Sequence, residues 1–127
     1  IHARSPWAAV LVLGYPGIFH IGAGPASCPA MGISEDDAQY LRGVHEALNA
    51  MIATQAGAHR ARYVDVYGPS AGKTACDLPI LRWVEPLVPV NAAAPIHPNI
   101  NGMRGMAAVI GRSGGSGGVG GSGGSGG

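Results

Sequence analysis

The chain has 127 residues, a formal net charge of +1 and only 12% charged side chains. That length holds one small domain with a modest core. No basic stripe with interleaved aromatics is present, which excludes nucleic acid as a partner, and the apolar run WAAVLVLGYPGIF is too short and too broken to span a bilayer.

In chain order, the opening IHARSP carries no initiator Met, basic n-region or cleavage site, so no targeting signal is read within it. Residues 7–15, WAAVLVLGY, predict a buried strand, a continuous apolar run stopped by Gly14 and Pro16. A Gly- and Pro-rich loop follows over 16–33 and carries Cys28. Ser34 then reads as a helix N-cap ahead of the acidic first turn Glu35, Asp36 and Asp37. Leu41, Val44, Leu48, Met51 and Ile52 recur at helical spacing, and Gly57 ends the run. RYVDVY, residues 62–67, predicts a second strand, bounded by Gly68 and Pro69.

Strand, helix and strand at this spacing make a βαβ unit with two parallel strands and a right-handed crossover. Residues 68–99 read as mostly irregular, and a short helix is expected around 101–110. From 111 to 127 the sequence is GRSGGSGGVGGSGGSGG, a Gly/Ser-rich segment with nothing to bury, read as a flexible tail or linker. The folding unit is therefore 1–110. Two parallel strands cannot make a covered sheet alone. The expectation is part of a larger α/β domain whose N-terminal strands are missing, with the edge of strand 7–15 unpaired and open to self-association.

Cys28 and Cys76 belong to no CxxC, which argues against a zinc or redox motif. A disulfide and two free buried thiols both remain open on sequence alone; a bridge would contribute about 4 kcal/mol in the chain-entropy picture.

GPSAGKT, residues 68–74, approaches a phosphate-binding loop. Gly68 and Gly72 stand one residue too close, Tyr67 occupies the position that should be Gly, and Pro79 interrupts the helix that should follow. A nucleotide site there is the least favoured function. His97, set between prolines in APIHPN, sits where a general base could reach a partner. His2, His20, His45 and His59 read as surface or structural residues.

The segments YVDVYGPSAGKTACDLPILRWVEPL and PIHPNINGMRGMAAVI resemble the C-terminal portion of the SGNH hydrolases, the GDSL esterases and lipases, in their secreted actinobacterial branch. The matches run in order: LGYP at 13–16, Cys28, YVDVY at 63–67, Ser70, Gly72, Cys76, RWVEP at 82–86, HPN at 97–99, then Gly102, Met106 and Ala107. The resemblance implies part of a three-layer α/β/α, flavodoxin-like fold with parallel strands. It implies that His97 is the general base and that Cys28 pairs with Cys76, and therefore a secreted or cell-surface protein. The family's acid three residues before the histidine is Ala94 here, and the backbone carbonyl of Pro95 is the candidate to orient His97 instead. Where the family commonly has His-Asp, this chain has Lys73 and Thr74.

The family's Gly-Asp-Ser nucleophile block does not occur in these residues. Ser5, Ser27, Ser34 and Ser70 do not substitute for it, with Ser70 the first suspect if hydrolysis were nevertheless found. The function expected is that of a serine carboxylic ester hydrolase fragment that acts on ester or lipid substrates only once its N-terminal half is supplied. It needs no metal or organic cofactor. The rival from another class is a non-catalytic binding or structural module on the same scaffold.

Overall fold

The computed structural model describes residues 1–114. The expected Gly/Ser-rich tail lies, for residues 115–127, outside the described residues. Strand β1 (Leu11–Leu13) pairs in parallel with β2 (Arg62–Val64), in the register Leu11 to Arg62, Val12 to Tyr63 and Leu13 to Val64. Helix α1 (Glu35–Ala58) makes the crossover, and α2 (Ile100–Gly114) closes the described chain. This is the predicted βαβ unit. Both strands are shorter than their apolar runs, because β1 and β2 are ladder partners only where they lie side by side. Among the described residues no strand flanks β1 on its other edge.

Helix α1 begins as the sequence prescribes. Ser34 Oγ accepts the Asp37 N–H at 3.1 Å, and three acids occupy the first turn, where the helix dipole favours negative charge. The helix runs one residue past Gly57. The alternation of a strand then separates the two faces of the sheet. Tyr63 points to α1, where its hydroxyl donates to Asn49 Oδ1 at 3.2 Å. Val64 belongs instead to a core cluster with Phe19, Met31, Trp83, Val84 and Val109 of α2, flanked by Leu11 and Leu13. A helix thus covers each face of the two strands.

Two glycines set how closely α2 approaches that core. A Cβ at Gly102 would collide with the Trp83 carbonyl, and one at Gly105 would enter the Trp83 indole. Helix α2 also continues to Gly114, beyond the expected end near 110.

The Cys28–Cys76 disulfide is present, with an S–S distance of 2.02 Å. It ties the loop after β1 to the loop after β2 and closes a chain separation of 48 residues. Constraining a loop of that size in the unfolded state contributes about 4 kcal/mol.

Candidate active site

His97 stands on the loop before α2, and its position begins with the pairing of two motifs. RWVEP and HPN lie antiparallel, bridged at Val84 and Pro98. Glu85 N–H donates to the His97 carbonyl at 3.0 Å, and Asn99 N–H donates to the Trp83 carbonyl at 2.9 Å. His97 is thereby held by its backbone on both sides of the bridge.

The charge beneath this clasp is Glu85, a carboxylate with no solvent exposure. Its Oε2 accepts the N–H groups of Val90 and Asn91 at 2.9 and 3.0 Å. Its Oε1 accepts from Asn91 Nδ2 at 2.8 Å and from Asn99 Nδ2 at 2.6 Å. Burial works to raise its pKa, but the bonds from Asn91, Asn99 and Val90 outweigh burial and bring it from 4.5 down to about 2. Asn99 is equally committed. Its Oδ1 accepts from the N–H groups of Asn101 and Gly102 at 2.9 and 3.0 Å, capping the start of α2, while its Nδ2 also donates to the Arg82 carbonyl. Sequence reasoning did not single out Glu85, Asn91 or Asn99. Both Glu85 and Asn99 stood inside the RWVEP and HPN motifs, and Asn99 also as a strong N-cap residue just before a predicted helix; what the motifs did not reveal was the role of Glu85, since its partners include a loop without regular structure.

The imidazole itself is exposed. Nδ1 lies 2.8 Å from the Pro95 carbonyl oxygen. A carbonyl only accepts, so in the neutral ring this bond requires the proton on Nδ1 and leaves the lone pair on Nε2. The turn that aims the carbonyl back at the ring passes through Ile96 at φ 58°, left-handed backbone that a β-branched residue adopts at a cost of about 1–3 kcal/mol. The side chain of Ala94 cannot supply a carboxylate here.

No serine hydroxyl among the described residues is hydrogen-bonded to His97. Ser70 is fully buried; its Oγ accepts from Gly17 N–H at 2.7 Å and donates to the Tyr67 carbonyl at 2.6 Å. It is a strut between two loops. Ser34 caps α1, and Ser5 and Ser27 lie on the surface. The GPSAGKT segment forms a 3-10 turn (Gly68–Ser70) followed by irregular chain, without the helix a phosphate cradle needs. Lys73 Nζ donates to the Pro69 carbonyl at 2.9 Å and lies over the Trp83 ring at 5.2 Å. The neighbouring Thr74 is buried, and its hydroxyl and N–H both donate to Asp77 Oδ2, at 2.7 and 2.8 Å. The loop's internal bonding is therefore supplied by Thr74 and Asp77.

His97 also lines an apolar concavity of about 960 Å³ that extends past Phe19 and Met106 to β1 and α1. His45, on α1, lines it too. It is buried between Tyr15 and Tyr67, with ring centroids 6.5 and 5.3 Å away, and its Nε2 has no hydrogen-bond partner among the described residues. Burial lowers its pKa, against the opposing effects of a hydrogen bond to the Tyr15 backbone and the charge of Glu46. Among the described residues no three His, Cys, Asp or Glu side chains cluster to hold a metal ion, and no helix is long and apolar enough to cross a membrane.

No family model matches the chain. It is homologous to Streptomyces lipases over part of their length. It is 39% identical over 106 residues to a protein named Lipase 2 from Streptomyces coelicolor, covering 84% of this chain and 36% of the relative. It is 35% identical over 103 residues to a lipase from Streptomyces rimosus, covering 80% of this chain and 35% of the relative. The chain thus spans about a third of the length of the curated relatives it matches. Among solved structures, the extracellular lipase of Streptomyces rimosus superposes with a TM-score of 0.70 at 28% identity, over 87% of this chain and 45% of that one. Phospholipase A1 of Streptomyces albidoflavus superposes with a TM-score of 0.71 at the same identity and coverage. The mixed α/β fold with parallel strands is that of part of these lipases, and the resemblance to SGNH hydrolases is homology.

Proposed function

We propose that this chain is the histidine-bearing, C-terminal part of a secreted serine hydrolase acting on carboxylic esters of the lipid class, with His97 as its general base. The observation that carries the reading is the bond between His97 Nδ1 and the Pro95 carbonyl, which leaves Nε2 as a bare, exposed acceptor. The lipase and phospholipase names of the relatives supply the substrate class, and the disulfide fits an oxidising compartment.

In the assembled enzyme a serine from outside these 127 residues attacks the ester carbonyl, and His97 Nε2 takes the proton from its hydroxyl. The same proton passes to the leaving alcohol. His97 then takes a proton from the water that attacks the acyl-enzyme and returns it to the departing serine oxygen, which regenerates the free enzyme and releases the acid. The Pro95 carbonyl holds the ring in the required tautomer throughout, but brings no full negative charge to offset the imidazolium. Among the described residues no serine is hydrogen-bonded to His97, so the chain by itself is expected to hydrolyse little, because nucleophile and oxyanion donors supply the larger part of the acceleration.

The test is hydrolysis of p-nitrophenyl butyrate by the chain alone, by the chain assembled with a nucleophile-bearing segment, and by both with His97→Ala. The expected result is activity only in the assembled wild type. An assembled protein whose hydrolysis survives His97→Ala would overturn the assignment, and one with no hydrolysis at all would favour a binding module on the hydrolase scaffold.

A further inference from the structure

Past the disulfide the surface of the chain changes character. From Leu78 to Ile100 the only Asp, Glu, Lys or Arg side chains are Arg82 and Glu85, and both are buried, at 7% and 0% exposure. Glu85 is also the only acid after Asp77, so the described residues beyond Asp77 present no exposed side-chain carboxylate. What they present instead is aliphatic. Leu78, Ile80, Leu81, Leu87, Val88 and Val90 are all exposed, Ile80 to 81% and Val88 to 77%. The two stretches that carry them are fastened together, because Asn91 Nδ2 donates to the Pro79 carbonyl at 3.1 Å and the 90–91 turn is bonded to Glu85. None of these side chains lines the concavity beside His97, so they lie outside the face that further strands of the sheet would cover. They adjoin the histidine by another route: Ile96, next to it in the chain, donates its N–H to the Pro86 carbonyl at 3.4 Å.

We infer that the 78–90 surface is a lipid-docking platform, which seats the protein on an aggregated lipid layer with His97 at its edge. The inference rests on the function proposed above and deepens it, since the ester is then met in a lipid layer rather than in solution. An exposed aliphatic patch of this kind marks an interaction surface, and three features select lipid over protein as its occupant. First, the patch offers no exposed aromatic anchor and no exposed charge, the groups that give protein interfaces their affinity and register; its one aromatic residue, Trp83, is buried. Second, Pro79, Pro86 and Pro89 bring no N–H, and the N–H groups of Leu81, Val90 and Asn91 are bonded within the segment. That lowers the polar cost of meeting an apolar medium. Third, the exposed charge that follows the patch is cationic, Arg104 and Arg112 on α2, with the exposed Met103 beside Arg104. Cations at the rim of an aliphatic surface suit the phosphate of lipid headgroups.

The experiment is co-sedimentation of the whole chain with phosphatidylcholine vesicles, joined to quenching of a tryptophan at position 88 by brominated phosphatidylcholine. The expected result is binding weakened about tenfold or more by Ile80→Ser with Val88→Ser, which withdraws two aliphatic side chains from the lipid. Val88→Trp should be quenched beyond the level of the native chain, which already holds Trp7 and Trp83. His59→Trp, at the C-cap of α1 beside the start of β2, should not. Binding indifferent to the double substitution would overturn the inference, as would quenching no greater at position 88 than at position 59. A dimer in the absence of lipid that the double substitution dissolves would assign the surface to a second copy and overturn it too. In the hydrolase assembled with a nucleophile-bearing segment, the double substitution should lower turnover of vesicle ester about tenfold and leave that of dissolved p-nitrophenyl butyrate unchanged. Loss of Val88→Trp quenching on assembly would show the segment covering the patch, against the inference. Vesicle binding with the expected Ile80 and Val88 dependence but without His97-dependent hydrolysis would sink the proposed function and leave the docking surface standing.

Discussion

Asn99 Nδ2 donates to Glu85 Oε1 at 2.6 Å across 14 residues of chain. That bond joins the loop that presents His97 to a carboxylate sealed from solvent. Every other contact of the pair serves the same end: Glu85 gathers the 90–91 turn, and Asn99 starts α2.

Removing the carboxylate strands several donors at once. Glu85→Ala should destabilise the chain by about 3 kcal/mol, the cost of leaving buried donors unpaired. Urea unfolding of the two proteins measures it. A loss within about 0.5 kcal/mol, the range of an ordinary surface change, would show that water replaces the carboxylate.

Acid should act in two stages. Burial holds His45 below the usual 6.5, so the unfolded chain takes up that proton first, and stability falls as pH drops below 6.5. Glu85 is held at about 2 against the usual 4.5, so its contribution is complete above 4.5 and is lost as pH falls towards about 2. Melting temperature followed across this range should decline in both windows. His45→Gln should flatten the upper one and leave the lower unchanged.

At the α2 contact, Gly105→Ala forces the Trp83 indole to move and should cost about 1–3 kcal/mol. Gly111→Ala on the same helix meets open space and should be neutral or stabilising. Thermal melts of the two variants should therefore shift in opposite directions or by clearly unequal amounts.

Cys28→Ser with Cys76→Ser should cost about 2–5 kcal/mol, read as a lower urea midpoint under oxidising conditions. In reducing buffer the native chain should approach the double variant.

ATP at millimolar concentration should leave the melting temperature unchanged, since Lys73 Nζ is turned onto the Pro69 carbonyl of its own loop. A rise that Lys73→Ala abolishes would restore a nucleotide site there.

What could be read in advance was whatever the chain encodes locally. Ser34 and the acids behind it marked the start of α1, and the apolar runs marked both strands. The RWVEP and HPN motifs announced a histidine site by their combination, although not that they lie side by side. The orientation of α1 was harder. Leu41, Val44 and Leu48 suggest a core face, yet the helix buries Arg42, His45 and Asn49, because Asn49 meets the backbone of Tyr15 on both its amide atoms and Arg42 donates to the carbonyls of His20 and Gly24. Those partners come from the loop after β1 and are invisible to periodicity. The bonding partners of Glu85, a residue already visible in the RWVEP motif, were hidden for the same reason.

The disulfide also divides the molecule into a covalent ring and a pendant. Between Cys28 and Cys76 the ring contains all of α1 and β2. A proteolytic nick within it would leave a single species on a non-reducing gel. His97 and α2 lie beyond the ring, and a cut in the 87–94 loop would free them to dissociate. The histidine-bearing end of the chain is thus retained only by non-covalent contacts, the Glu85 clasp, the Val84–Pro98 bridge and the packing of α2 on Trp83 and the core, and the 87–94 loop is the place where limited digestion would separate scaffold from histidine.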